Sequence, residues 1–291
     1  MELTREQILF YKENGFLLLE NVFSAEEVQV LLNEMDEVIK EDGPRRILEK
    51  NGSVRSFFAP HFSSEIFDKT NSLDRLVIPS KQLIGDDVYV HQSKINVKAA
   101  MLGDWWEWHQ DYPYWKNDDG MPKPDVLTAM IFMNETNEFN GPLLLIPGSH
   151  RNGEFDDQPN EIEVDPNDSK WYAEYLKSAS FMTSLTANLK YKLERKTIAD
   201  WVAKKGIYSA KGVAGTVLFF HGNVFHASSN NLSPWDRFTY LITYNSVRNK
   251  LANIPEPRPE FIAIRKFDAI VPITGTLCPA WRQNGVALTE V

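Results

Sequence analysis

The hydrophobic pattern of the chain changes character near Val54. Before that point, helix and strand signals alternate. Leu3–Asn14 reads as a helix, Gly15 breaks it, and Phe16-Leu17-Leu18-Leu19 reads as a buried strand. Ser24 and Glu27 then form an S-x-x-E capping box. Behind it, Val28, Leu31, Leu32, Met35 and Ile39 fall on one helical face. From Val54 onward the apolar positions come in short runs bounded by Gly, Pro, Asn and Asp. The spacing predicts strands over Val88–Val97, Val126–Met133, Pro142–Ile146, Thr216–Phe220 and Phe238–Val247. Strands scattered behind a helical layer predict a mainly β fold with flanking helices, a double-stranded β-helix (a cupin-like jelly roll). Residues 151–210 interrupt the strands with an acidic stretch, Glu154-Phe155-Asp156-Asp157, followed by helical patterns at Trp171–Ser178 and Ile198–Lys204. We read them as a lid-like insertion in a single domain spanning 1–291, or equally as a plain surface excursion.

Composition narrows the function classes. With 43% hydrophobic and 24% charged residues, the chain has the balance of a globular protein able to bury a large core. The net charge of -9 and the lack of a strong Lys/Arg block argue against a nucleic-acid binder and against attraction to an acidic membrane surface. Such a balance still admits an anionic co-substrate, which needs only one or two well-placed cations. The single cysteine, Cys278, excludes an internal disulfide and any Cys-based zinc or iron–sulfur site. The opening MELTREQILFYKENG has no apolar signal-peptide core, and no apolar run is long enough to span a bilayer. A reducing cytoplasm is the expectation, with a small-molecule substrate and no protein partner implied.

Candidate chemistry rests on the histidines, of which there are six. Residues i and i+2 of a strand share a face, so His109 and Asp111 in WHQDY can present an imidazole and a carboxylate together. A facial triad of two histidines and one carboxylate needs a third ligand from a distant strand, and VLFFHGNVFH offers His221 and His226. An isolated H-x-D is weak, because polar strand ends carry it by chance. Arg237, eleven residues after His226, opens the next strand. As a buried bidentate donor it suits the far carboxylate of a metal-chelating dicarboxylate; as a strand-end residue it makes a surface ion pair.

Four segments carry a stronger signal: VYVHQSKIN (88–96), WEWHQDYPYWKNDDGMP (106–122), FNGPLLLIPGSHR (139–151) and FFHGNVFHASSNNLSPWDRFTYLITYNSV (219–247). In order and spacing they resemble the phytanoyl-CoA dioxygenase superfamily of iron(II)/2-oxoglutarate oxygenases, and its ectoine-hydroxylase-like branch in particular. The opening LTREQILFYKENGFLLLENVFSAEEV is similar to the family's usual N-terminal segment. The resemblance implies Fe(II) held by His109, Asp111 and His226, with 2-oxoglutarate and O₂ as co-substrates. It implies Arg237 on the distal carboxylate of 2-oxoglutarate, and Gln92, Trp106 and Ser228 lining the same pocket. It also implies hydroxylation, because halogenases of this type leave the Asp111 position as Gly or Ala.

The same segments depart from the ectoine hydroxylases. Trp106 stands where those enzymes have Phe, Gln110 where they have Ser, and Lys94 where an arginine is expected to meet ectoine. The patterns HQ-x-K-IN, W-x-WHQD and LITYN are closer to free L-leucine hydroxylases of peptide-antibiotic pathways. The expected reaction is therefore hydroxylation of an unactivated C–H in a free aliphatic amino acid, leucine first, with an ectoine-like solute as the alternative. Lys94 would meet the substrate carboxylate, while Tyr112, Tyr114, Trp115 and Trp106 form an apolar wall or, failing that, ordinary core. Two rivals stand beside this. A zinc hydrolase could use the same triad but has no use for Arg237, and a non-catalytic jelly roll has no use for a complete triad.

Overall fold

The computed structural model describes residues 1–152, 168–179, 181–185 and 189–278. Helix α1 (Arg5–Asn14) begins on a reciprocal Thr4/Gln7 capping box and ends at Gly15, whose φ of +82° closes the helix by donating to Tyr11 O. Strand β1 (Phe16–Leu19) follows at once. Helix α2 (Ala25–Val38) starts on the Ser24/Glu27 box and buries Val28, Leu31, Met35 and Val38. Each such side chain contributes about 1.5–3 kcal/mol by leaving water. Next come β2 (Arg46–Leu48), β3 (Val54–Phe58), α3 (Glu65–Asn71), α4 (Asp74–Ile84) and the long β4 (Val88–Lys98). Then β5 (Trp106–His109), α5 (Tyr112–Asp119), β6 (Val126–Phe132) and β7 (Leu143–Leu145). After them lie α6 (Lys170–Leu176), α7 (Arg195–Lys205), β8 (Tyr208–Ala210), β9 (Val217–His221), β10 (His226–Ser228) and β11 (Arg237–Ser246).

The strands form two antiparallel sheets. The larger runs β1-β9-β6-β11-β4-β3-β2 and the smaller β5-β10-β7-β8. Alternation along the larger sheet divides its side chains between two layers. Ile95, Ala129, Ile131, Phe219, Tyr240 and Ile242 face outward and pack under α2 and α4, against Leu31, Met35, Leu76 and Val77. Met130, Leu218, Phe220 and Leu241 face inward and meet Leu145 and Ala210 of the smaller sheet. This is the double-sheet jelly roll with flanking helices that the sequence pattern predicts. The expected strands fall within a residue or two of the observed ones.

The pattern misses three helices. Helix α3 has only seven residues, too few to show a period, and Pro79 interrupts α4. Helix α5 sits where the aromatic run reads as a wall. Of the 151–210 insertion, the helical expectations match α6 and α7, whereas the acidic stretch 154–157 lies outside the described residues. No helix among the described residues is long and apolar enough to cross a membrane.

Candidate metal centre

The inward face of the larger sheet looks onto a cavity that the smaller sheet covers. Strand β4 sends Gln92, Lys94 and Asn96 into it, as alternation requires, and β11 sends Arg237 and Leu241. The smaller sheet contributes Trp106 and His109 from β5, and His226 and Ser228 from β10.

His109 and His226 stand opposite each other in the β5–β10 register, with ring centroids 4.1 Å apart. In each ring Nδ1 meets a backbone carbonyl, Glu107 O at 2.7 Å and Val224 O at 3.0 Å. A carbonyl can only accept, so both Nδ1 atoms carry a proton, and Nε2 is the ring atom that each histidine turns toward the metal position. Asp111 completes the group. Its Oδ1 lies 3.7 Å from His109 Nε2 and its Oδ2 3.7 Å from His226 Nε2. All three ligand atoms lie within 4.8 Å of one another. Burial, helped by the neighbouring His226, lowers the His109 pKa to about 3, so the ring is neutral and able to act as a ligand.

The three converge by a route that differs from the expected one. Strand β5 stops at His109, and Asp111 is not its i+2 partner on a strand. It occupies the N-cap of α5 in an α-helical backbone conformation, with no side-chain capping bond. Gly222 O, in the turn between β9 and β10, accepts from both the Asp111 and Tyr112 amides at 3.0 Å. Gln110 Nε2 donates to Asn223 O at 2.7 Å. The turn that delivers His226 therefore also fastens the segment that carries Asp111. His221, the other histidine on this stretch, lies outside the cluster. Its Nδ1 accepts from the Asn223 amide at 3.0 Å and its ring is 5.3 Å from that of His150.

At one end of the cavity Arg237 is 2% exposed, and burial lowers its pKa to about 10, so it is charged at neutral pH. Its Nε and Nη1 have no protein partner, and neither has the buried hydroxyl of Ser228. Burying donors without acceptors costs about 1–3 kcal/mol each. A carboxylate supplies the acceptors that Arg237 and Ser228 call for, and two imidazoles with one carboxylate are a donor set suited to Fe(II) with coordination positions left open. The residues present therefore fit an iron–dicarboxylate pair.

The remaining predicted residues divide. Gln92 lines the cavity with its Nε2 bonded to Ile262 O at 2.8 Å. Trp106 lines it too, and the Arg55 guanidinium stacks 3.7 Å from its ring centroid while pairing with Glu49 at 2.7 Å. Lys94 stands in the cavity with its ammonium 5.6 Å from the Phe58 and Trp106 rings; burial lowers its pKa and the Asp111 carboxylate opposes the shift. Trp115 and Tyr114 also line the cavity. Tyr112 does not. It is 1% exposed, packs with Met121, Val126 and Leu251, and its hydroxyl donates to Met121 O at 3.3 Å. The helical twist of α5 turns position 112 into the core and gives the cavity to 114 and 115, a distinction that a strand-like reading of the aromatic run misses.

Sequence reasoning also misses Arg258, which lies in an irregular Pro-rich stretch with no periodicity to mark it. It lines the same cavity as Arg237 but is attached to the sheet at a different point along β4. Arg237 pairs with Lys98 in the β11–β4 register. Arg258 instead belongs to the segment fastened to the start of β4, through Gln92–Ile262 and the Ile264 amide on His91 O at 2.8 Å. Six residues of strand separate those attachment points, about 20 Å. Arg258 forms a bidentate pair with Asp119, Nε to Oδ1 at 2.7 Å and Nη2 to Oδ2 at 2.6 Å. Burial alone would raise the Asp119 pKa, but Arg258 outweighs it and holds the carboxyl at about 2.

The family model described as phytanoyl-CoA dioxygenase matches residues 11–239. The chain is 37% identical over 281 residues to an ectoine dioxygenase of Bordetella bronchiseptica, covering 93% of this chain and 86% of that one. It is 33% identical over 264 residues to an L-proline trans-4-hydroxylase of Streptomyces griseoviridis, covering 90% and 93%. Among solved structures, EctD from S. alaskensis with 2-oxoglutarate and 5-hydroxyectoine superposes with a TM-score of 0.78 at 28% identity, covering 95% of this chain and 89% of that one. The same enzyme with bound Fe gives 0.77.

Proposed function

The chain belongs to the phytanoyl-CoA dioxygenase family and is a 2-oxoglutarate-dependent iron dioxygenase, and on that footing we propose that it hydroxylates a small, carboxylate-bearing amino-acid-like molecule. The relatives named above act on ectoine and L-proline, both compact rings with one carboxylate. They favour an ectoine-like or proline-like substrate over L-leucine, which the short patterns HQ-x-K-IN, W-x-WHQD and LITYN put first. The observation that carries the reading is the pair of buried arginines, Arg237 and Arg258, lining one cavity together with the His109–Asp111–His226 cluster.

His109, Asp111 and His226 would hold the iron, and Arg237 with Ser228 would grip the distal carboxylate of 2-oxoglutarate. Gln92 and Trp106 would wall the same space. Bound iron and 2-oxoglutarate supply the O₂ activation that yields succinate, CO₂ and one oxygen atom for a C–H bond. The chain's own part is placement. Arg258, and Lys94 beside it, would meet the substrate carboxylate, while Tyr114 and Trp115 confine the carbon skeleton. Leu185 and Leu189, both from the 151–210 insertion, line the cavity, which supports reading that insertion as a cover that excludes water.

The test is a panel of ectoine, L-proline, L-leucine and related free amino acids, each incubated with enzyme, Fe(II) and 2-oxoglutarate and analysed by mass spectrometry for a gain of one oxygen. Succinate release with no oxygenated product from any carboxylate-bearing compound would overturn the substrate class.

A further inference from the structure

Asp111 and Asp119 occupy the two ends of one short helix. Asp111 is the N-cap of α5 and points into the metal cluster; Asp119 is its last residue and is completely buried. Eight residue steps of α-helix separate them, about 12 Å. Tyr114 and Trp115, between the two, line the cavity. The helix is closed by Gly120, whose φ is +80° and whose amide returns to Lys116 O. Both ends are tied to the body of the protein, the first through the Gly222 carbonyl and the second through Asp119 itself. His91 Nε2 lies 3.2 Å from Asp119 Oδ2. His91 is the extra residue at a β-bulge, since β4 pairs Gln92 with Thr243 and Val90 with Tyr244 and so skips it. Bulges re-aim side chains, and this one brings an imidazole to the Asp119 carboxylate, with the Trp115 ring 5.7 Å away.

Taking the proposed role of Arg258 as given, we propose that Asp119 is a positioning residue. It fixes the Arg258 guanidinium on the cavity wall and, through α5, sets the distance from the metal centre to the point where a substrate carboxylate is held. A guanidinium held through both Nε and Nη2 cannot rotate away from its fork geometry, so its remaining N–H groups present one fixed direction. The substrate is then held at its carboxylate end, and the carbon that reaches the metal is decided by how far along α5 that grip lies. Helix length, rather than contact with the reacting carbon, becomes the determinant of the site of oxidation.

The experiment compares wild type with Asp119→Asn in the full chain. Anaerobic calorimetry on the Fe(II) enzyme measures the affinity for 2-oxoglutarate and then for L-proline, ectoine and L-leucine; product analysis gives the ratio of hydroxylation positions. Asp119→Asn should weaken binding of the best probe by at least about tenfold, the scale of one lost charge-assisted interaction. It should also spread product over more than one carbon, while 2-oxoglutarate affinity stays within about twofold, because Arg237 is carried by β11 opposite Lys98 and makes no bond to Asp119. In an Arg258→Ala background the same change should add nothing further. A purely structural role would instead weaken both ligands together and persist in that background. Should Asp119→Asn not fold, Asp119→Glu moves the carboxylate by one methylene and should displace the product ratio. An unchanged ratio and affinity in the folded variant overturns the positioning role alone. A wild type that binds none of the carboxylate probes overturns the substrate reading together with this one.

Discussion

Asp111 is a residue whose removal separates chemistry from stability. It is the N-cap of α5, yet its side chain makes no capping hydrogen bond and is 20% exposed. Its carboxylate is directed at the two histidines instead. Asp111→Ala is therefore expected to abolish hydroxylation and weaken Fe(II) binding while changing the unfolding free energy by no more than about 0.5 kcal/mol. Metal titration and a urea melt check both halves, and a variant that still hydroxylates removes Asp111 from the proposed ligand set. Lys98 shows the opposite balance. It is 2% exposed, its Nζ donates to Asp104 O and Ser229 O, and burial, with Arg237 nearby, lowers its pKa from 10.5 to about 6. Between pH 6 and 10.5 the unfolded chain binds a proton that the folded chain does not, so this residue makes stability rise with pH across that window. Lys98→Met should remove that rise, flattening the wild-type slope by about 1 kcal/mol per pH unit. Urea midpoints at pH 7 and 9 that keep the wild-type spacing would contradict it.

Elements were readable in proportion to how local their signals are. The Thr4/Gln7 and Ser24/Glu27 boxes and the Gly15 stop are encoded within a few residues of each helix end, and the strands over Val88–Val97 and Phe238–Val247 alternate over enough length to declare themselves. Helix α5 is the instructive failure. Its apolar residues belong to two environments at once, Tyr112 in the core with Met121 and Leu251, and Tyr114 and Trp115 on the cavity. No single hydrophobic face results, and the period is lost. The same misreading turned H-x-D into a strand pair. The residues named were those that converge, but what unites them is a helix cap held by the Gly222 carbonyl, a contact across about a hundred residues of chain that local spacing does not record. Arg258 fails for a related reason: its partner Asp119 is 139 residues away. The resemblance to a known family bridged such gaps for His226 and Arg237, where whole segments match, and left Arg258 unmarked because the matching segments end at Val247.

At the scale of the whole molecule, the jelly roll keeps a space between its sheets where most such folds would pack side chains, and it lines that space with buried charge. Arg237 is the costly member, because two of its donors have no protein acceptor and burial already lowers its pKa to about 10. An architecture that bears this cost is stabilised by the anion that removes it, and the linkage is measurable. A ligand present at a hundredfold excess over its Kd stabilises the folded state by about 2.7 kcal/mol. For a chain of 291 residues that corresponds to a rise of about 4 °C in Tm. Anaerobic melts with Fe(II) and 2-oxoglutarate should show this rise in wild type. Succinate, which has both carboxylates but lacks the 2-oxo group that chelates metal, should give less. In Arg237→Ala the shift should disappear at the same ligand concentration, because losing a buried bidentate partner raises the requirement for 2-oxoglutarate by about a hundredfold. The unliganded variant, relieved of two unsatisfied donors, should melt no lower than the unliganded wild type. An Arg237→Ala protein that keeps the full 2-oxoglutarate shift would place the distal carboxylate elsewhere in the cavity, with Lys94 and Arg258 the cations left to receive it.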